Sequence, residues 1–219
     1  MLRQIVLAEL DRGGYPFPPE FVESIIQSES GAIVGKVNLK SGASGLMQIM
    51  PIALREYNRR SGDRLKMRDM RSTDRPGAIL QVRVGLHILG IYWRGAYKYM
   101  ADRLRVVQLP DLAKIAQLFY VAGPNAAKKR LKVLRSPTFA AFAKRYPSYV
   151  SLPYIRKIWA RSQAANAQWS DRQIDRWVRG DVQDGGASDE PLIAALDPRK
   201  GIAIAMAVVA LASYYLKRS

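Results

Sequence analysis

Apolar residues recur at three- and four-residue spacing along most of this chain, and its elements end where that rhythm breaks. Leu2, Ile5, Val6 and Leu10 predict a short opening helix, closed by Gly13-Gly14. Phe21, Val22, Ile25 and Ile26 form the next stripe. Pro18 and Pro19 open it, where a missing amide N–H costs nothing. Glu29 continues this stripe, whereas Glu20, Glu23, Gln27 and Ser28 lie off it and face water. Gly31 follows as a C-cap, so Glu29 falls in the last helical turn. Residues 33–39, interrupted by Gly35-Lys36, predict a small β-hairpin.

Further on, residues 52–60 read as a helix after Pro51, and the charged stretch 64–75 as a surface loop. Pro76 opens a longer helix with Ile79, Val82, Leu86 and Leu89 on one stripe, widened by Ile88, Ile91 and Tyr92. His87 sits beside that stripe and reads as a partly buried helix histidine. Leu112, Ile115, Ala116 and Phe119 mark another helix, and one more starts at Leu152. Ser170 and Gln173 form a capping box ahead of Ile174, Trp177 and Val178. Residues 180–191 turn Gly- and Asp-rich, as a loop or linker does. Residues 201–216 then carry no charge. At about 1.5 Å per residue they reach roughly 24 Å, short of the ~30 Å hydrocarbon core. They are also rich in alanine, so the expectation is a helix packed on the domain and no membrane span.

Composition narrows the chemistry. With 219 residues, 48% of them hydrophobic, the chain is long enough for a well-buried globular domain. It has no cysteine and one histidine. That removes disulfides, cysteine nucleophiles and any zinc site needing more than one Cys or His. No metal site and no cofactor are expected. A net charge of +17 implies an anionic partner: nucleic acid, an anionic membrane or the carboxylate-bearing bacterial wall. The basic residues cluster at Arg59, Arg60, Arg64, Lys66, Arg68 and Arg71, and again at Lys128, Lys129, Arg130, Lys132 and Arg135. A solvated face that only aids solubility is the plain alternative. Residues 1–11 have too short an apolar run for a secretory signal, so no export signal is visible.

Against this background Glu29 stands out. A carboxylate with an apolar wall and the negative end of a helix beside it is expected to have a raised pKa. Such a group stays protonated near neutral pH and serves as a general acid. The alternative is a helix-end glutamate that swings into solvent. Downstream, Gly42-Ala43-Ser44-Gly45-Leu46-Met47-Gln48-Ile49-Met50-Pro51 joins two loop glycines to an amide and a soft thioether face.

Glu29-Ser30 together with this run resembles the soluble lytic transglycosylases, relatives of goose-type lysozyme. In that family a Glu-Ser pair precedes a Gly-Leu-Met-Gln segment lining the sugar groove. The loop between Glu29 and Gly45 is about one residue longer than the family's. Leu39 stands where the family carries a Ser, and Ser41 is the nearest substitute. Gln81-Val82 with Gly85 resembles, loosely, the family's Asn-Ile and Gly. Tyr120-Val121-Ala122-Gly123 resembles its Tyr-Asn-Ala-Gly, with Val121 in place of the amide. Tyr154-Ile155 resembles its last Tyr-Val pair; Tyr149-Val150 is the competing alignment. The resemblance implies Glu29 as catalytic residue, with Ser30, Ser41, Gly45, Met47, Gln48, Tyr120, Ala122 and Tyr154 binding substrate. It covers roughly residues 18–159 and implies an all-α, lysozyme-like fold, with the catalytic domain expected over residues 1–179. Residues 180–219 then form a loop and hydrophobic helix packed on it.

Cleaving a β-1,4 glycosidic bond usually takes two carboxylates. The resemblance supplies one. Asp63, Asp69, Asp74 and Asp102 lie in charged surroundings with no motif around them. One acid suffices if the muramic C6 hydroxyl attacks C1, as in lytic transglycosylases, giving a 1,6-anhydro sugar. Two other readings compete. A peptidase cutting wall cross-links would use the same groove, but the missing Cys and single His argue against it. A nucleic-acid-binding module explains the charge but neither Glu29 nor the 42–51 segment, and it has no motif. Peptidoglycan is therefore the expected partner and nucleic acid is not. A small basic wall enzyme with no visible export signal resembles bacteriophage lytic proteins. That implies a place in the particle beside other virion proteins, action on the host's periplasmic wall, and roles in entry and host lysis.

Overall fold

The structure is a computed structural model that describes residues 1–180. The expected linker beyond Gly180 and the 201–216 helix lie outside the described residues. Nine α-helices follow one another among the described residues, so the all-α expectation holds. The described residues divide into two compact units, residues 1–91 with 157–180 and residues 92–156.

The first unit begins with α1 (Leu2–Arg12) and α2 (Pro19–Glu29), packed on one another. Pro18 and Pro19 open α2 as the sequence predicts, and the helix ends at Glu29. Gly31 then turns left-handed (φ 68°), with its N–H on the Gln27 carbonyl at 3.2 Å. Helix α3 (Pro51–Ser61) buries only Leu54 and Tyr57. Helix α4 (Arg75–Ala101) contributes its first seventeen residues here, and Asp74 caps its start by accepting from the Gly77 N–H at 2.8 Å. Helix α8 (Leu152–Ala164) adds its later turns, and α9 (Asp171–Arg179) closes the unit. Ser170 caps α9 by accepting from the Gln173 N–H.

The core of this unit is aromatic behind α2. Phe17 meets Trp177 edge-on at 5.3 Å, and Phe21 meets Trp169 at 4.9 Å. Phe21, Val22, Ile25 and Ile26 are fully buried, so the apolar stripe of α2 is the face that packs. A buried ion pair ties α1 to α4. Glu9, 5% exposed, accepts both a 2.9 Å and a 3.0 Å bond from Arg83, and Arg12 adds a third at 2.9 Å. Burial raises the Glu9 carboxyl, but the two guanidinium groups outweigh it and hold it below the ordinary range.

No hairpin forms over residues 33–39, and the described residues contain no strand. Gly35 is left-handed (φ 71°), and the segment turns on a Lys36 N–H to Ile33 carbonyl bond. The pairing goes elsewhere. Val37 bridges Ser44, and Ser44 bridges Ile49, both antiparallel. The charged 64–75 stretch is a loop, as expected, with one 3-10 turn at Asp69–Arg71 that anchors it through the buried Met70.

The second unit is built on α5 (Leu109–Ala122), against which α6 (Pro124–Leu131) and α7 (Phe139–Arg145) pack. Gly123 joins α5 to α6 at φ 77°, ψ 147°, a conformation open only to glycine. Thr138 caps α7, and Asp111 of α5 accepts the Phe139 N–H at 3.0 Å. Arg103, just past α4, bonds the carbonyls of Leu131 and Lys132 at 3.3 and 3.2 Å. It thereby closes the C-terminal end of α6. No described helix is long and apolar enough to cross a membrane.

Candidate active site

Glu29 is half-buried at the end of α2, among carbonyls that lack helical partners. The turn that follows is tightly held. Ser30 is fully buried and its hydroxyl donates to the Ile26 carbonyl at 3.0 Å. Lys36 donates from Nζ to the Ser30 carbonyl at 3.0 Å, placing a cation on the peptide next to Glu29. Arg161 of α8 donates to the Ser28 hydroxyl at 3.1 Å, holding the last turn of the same helix.

The glycine-rich segment forms a knot of short bonds. Asn38 N–H reaches the Ala43 carbonyl at 2.8 Å, and Gly45 N–H reaches the Lys36 carbonyl at 2.8 Å. Ser44 and Ile49 exchange bonds of 3.1 and 2.8 Å. Gln48 takes a left-handed backbone (φ 48°), and its amide donates to the Gly45 and Lys36 carbonyls at 3.0 and 3.2 Å. Ser41 stays within the loop, its hydroxyl accepting from the Ala43 N–H at 3.3 Å. Leu39 is 93% exposed and Ser41 half-buried.

Gln81 holds this knot in place. It sits on α4, fully buried, and its Oε1 accepts from both Gly35 N–H (3.2 Å) and Leu46 N–H (3.0 Å). Its Nε2 donates to the Ser72 carbonyl at 2.7 Å. One carboxamide thus joins the turn after Glu29, the Gly-Leu-Met-Gln turn and the loop before α4. Gly45 allows the approach, because a Cβ there would lie 2.8 Å from Gln81 Cγ. Gly85, one turn along α4, makes room for Met47 in the same way: a Cβ there would lie 2.9 Å from Met47 Cβ and Cγ. In the sequence Gln81 matches the family's Asn only loosely and does not stand out as a site residue. Its signal was a polar residue on the buried stripe of α4, one residue before Val82 and a turn before Gly85.

The sequence-predicted residues divide accordingly. Glu29, Ser30, Ser41, Gly45, Met47 and Gln48 all belong to the first unit. Ser30, Gly45 and Met47 are buried and present no side-chain surface to a sugar. Gln48 is partly exposed, with its amide nitrogen already engaged. Tyr120, Ala122 and Tyr154 belong to the second unit. Tyr120 is half-buried, edge-on to Tyr92 at 5.9 Å, and Ala122 is fully buried. Tyr154 lies in the first turn of α8. Tyr149, its rival in the alignment, precedes that helix, with its ring against Phe142 at 5.3 Å and under Arg130 at 5.0 Å.

Most other carboxylates of the first unit have structural partners. Glu56 pairs with Arg59 and Arg60, Glu20 and Glu23 pair with Arg3, and Asp74 caps α4. Asp69 accepts from the Lys66 N–H at 2.7 Å. Asp63 bonds the phenol of Tyr57; burial first, then this carboxylate, pushes that phenol up to about 12. His87 stands edge-on to the same ring at 5.0 Å. No group of His, Asp and Glu suited to a metal ion occurs among the described residues.

A carboxylate at a helix end and a glycine-rich turn pinned to a long helix, in an all-α fold, fit a lysozyme-like domain. Residues 11–92 match the family described as the transglycosylase SLT domain, a span that holds α2, the knot, α3 and the first part of α4. This SLT domain indicates lytic transglycosylase activity, with peptidoglycan as the fitting substrate. The match ends before Tyr120, Ala122 and Tyr154. No curated protein matches the chain.

Proposed function

We propose that this enzyme cleaves the MurNAc–GlcNAc β-1,4 bond with Glu29 as both acid and base. The Glu29 carboxylic acid gives its proton to the glycosidic oxygen, and the C4 hydroxyl of GlcNAc leaves. The muramic C6 hydroxyl attacks C1 as the oxocarbenium-like centre forms, and its proton passes to the Glu29 carboxylate. The bond to GlcNAc breaks, the C6–O–C1 bond forms, no water is consumed, and Glu29 ends protonated as it began. One observation carries this reading: Glu29 closes α2, whose last turn is held by Arg161 at Ser28 and whose following segment is held by Lys36 at the Ser30 carbonyl and by Gln81 at the Gly35 N–H. The test is mass spectrometry of digested sacculi with wild type and Glu29→Gln. Anhydro-muropeptides from the first and none from the second, with melting temperature nearly unchanged, are expected. Glu23→Gln, whose carboxylate pairs with Arg3, serves as the control and retains activity. Free cross-bridge ends without anhydro sugars would replace this mechanism with peptide cleavage.

We further propose that the enzyme acts for a bacteriophage, in entry through the host wall and in host lysis. The carrier we infer is the particle of an enveloped double-stranded RNA phage (a cystovirus). This rests on the sequence reading of a small, strongly basic wall enzyme. Detection of the chain in purified virions, at constant stoichiometry to the other virion proteins, is the expected result.

A further inference from the structure

Cationic charge is concentrated in one part of this molecule. Residues 92–156 hold thirteen Lys and Arg against two Asp and no Glu, so eleven of the seventeen net charges reside there. Asp111 is engaged at the start of α7, which leaves Asp102 as the only other acid in the stretch. The cations are physically joined. Tyr99 receives a 2.7 Å bond from Arg103 and reaches the Lys128 carbonyl at 3.5 Å. Tyr146 reaches the Arg130 carbonyl at 3.4 Å, and Arg145 lies over the Tyr146 ring. Lys128 is held below the ordinary ammonium range by burial and by the like charge of Lys98, a crowding that an anion would relieve.

Three of the planar arginine forks that could grip a phosphate are engaged within the protein. Arg103 is taken up by carbonyls, Arg130 by the Ala126 carbonyl and the Tyr149 ring, and Arg145 by Tyr146. On α6, the turn after it and the neighbouring helices, four ammonium heads (Lys98, Lys129, Lys132 and Lys144) and Arg135 are exposed without a carboxylate partner among the described residues. So are Arg105 and Arg156 elsewhere in the unit. Separate point charges suit separate carboxylates better than a phosphate chelate.

We propose that this face of α6 and the turn after it docks the stem-peptide carboxylates of peptidoglycan, so that the enzyme prefers peptide-bearing glycan to stripped glycan. The inference rests on the wall as substrate and concerns binding, apart from the chemistry at Glu29. The test is co-sedimentation of the full chain, in a Glu29→Gln background that leaves bonds uncut, with intact sacculi and with sacculi stripped of stem peptides. The variant Lys129→Gln/Lys132→Gln/Arg135→Gln is expected to bind intact sacculi about tenfold more weakly. Removing the peptides should lower binding of the parent by a similar factor and bring the two proteins together. Arg64→Gln/Lys66→Gln/Arg68→Gln removes the same charge from the first unit and should change binding little. Salt should weaken the parent more steeply than the α6 variant.

Equal loss in both triple variants would mean bulk charge alone and would overturn the docking face, as would full binding to stripped glycan. Displacement from sacculi by phosphatidylglycerol vesicles or duplex DNA at lower charge equivalents would assign the face to phosphate instead. If the wild type releases no anhydro sugars while the binding pattern holds, the reaction falls and the docking face stands; the reverse result separates them the other way.

Discussion

Gln81 holds three backbone segments with a single carboxamide. Gln81→Leu keeps the volume but leaves the N–H groups of Gly35 and Leu46 without an acceptor. A loss of about 3 kcal/mol is expected, from unfolding in denaturant. Activity on sacculi, measured well below the melting temperature, should fall further than stability requires, because the turn after Glu29 loosens first. Gly85→Ala acts on the same knot by overpacking Met47, and about 2 kcal/mol of destabilisation is expected in the same assay. Gln117 is the opposite case. It is buried on α5 with neither amide atom bonded among the described residues. Gln117→Leu should therefore raise stability, by about 1 kcal/mol in the same measurement.

Between elements, the Glu9 clamp on Arg83 and Arg12 is what joins α1 to α4 by charge. The Glu9 carboxyl has a depressed pKa when folded. Its contribution is complete above the unfolded value, near 4.3, and is lost as pH falls through the folded one. Thermal stability should therefore decline below about pH 4, and Glu9→Gln should flatten that decline while lowering the plateau. The plateau loss should be about 2 kcal/mol, less than for a wholly buried pair because Arg83 is one-third exposed.

Helix α2 was readable from sequence because its stripe, its opening prolines and Gly31 agree with one another. The turn chemistry of residues 33–39 was not: Gly35 takes φ 71° and its N–H turns to Gln81, 46 residues away, so the local alternation never becomes a strand. Helices α6 and α7 also escaped, being eight and seven residues long, with basic residues crowding their ends. Glu29 was legible as an acid at a helix end beside a known motif. The residues that hold its turn were not, since Lys36 and Arg161 act on a backbone carbonyl and a serine hydroxyl, and neither bond leaves a pattern along the chain.

Across the whole molecule, charge and aromatic mass are segregated. Residues 92–156 carry most of the positive charge but only one of the four tryptophans, Trp93, fully buried. Trp159, Trp169 and Trp177 all lie in residues 157–180, the first two stacked at 5.8 Å. Nature has thereby labelled the two units separately with indole. Subtracting the emission of Trp93→Phe from that of wild type isolates one fluorophore from residues 92–156, and the variant alone reports the other unit. Helices α4 and α8 each run unbroken through the division, and a helix melts cooperatively along its length. The Trp93 signal is expected to fade at the same temperature as that of the other three; two midpoints would reveal a protein that unfolds in halves.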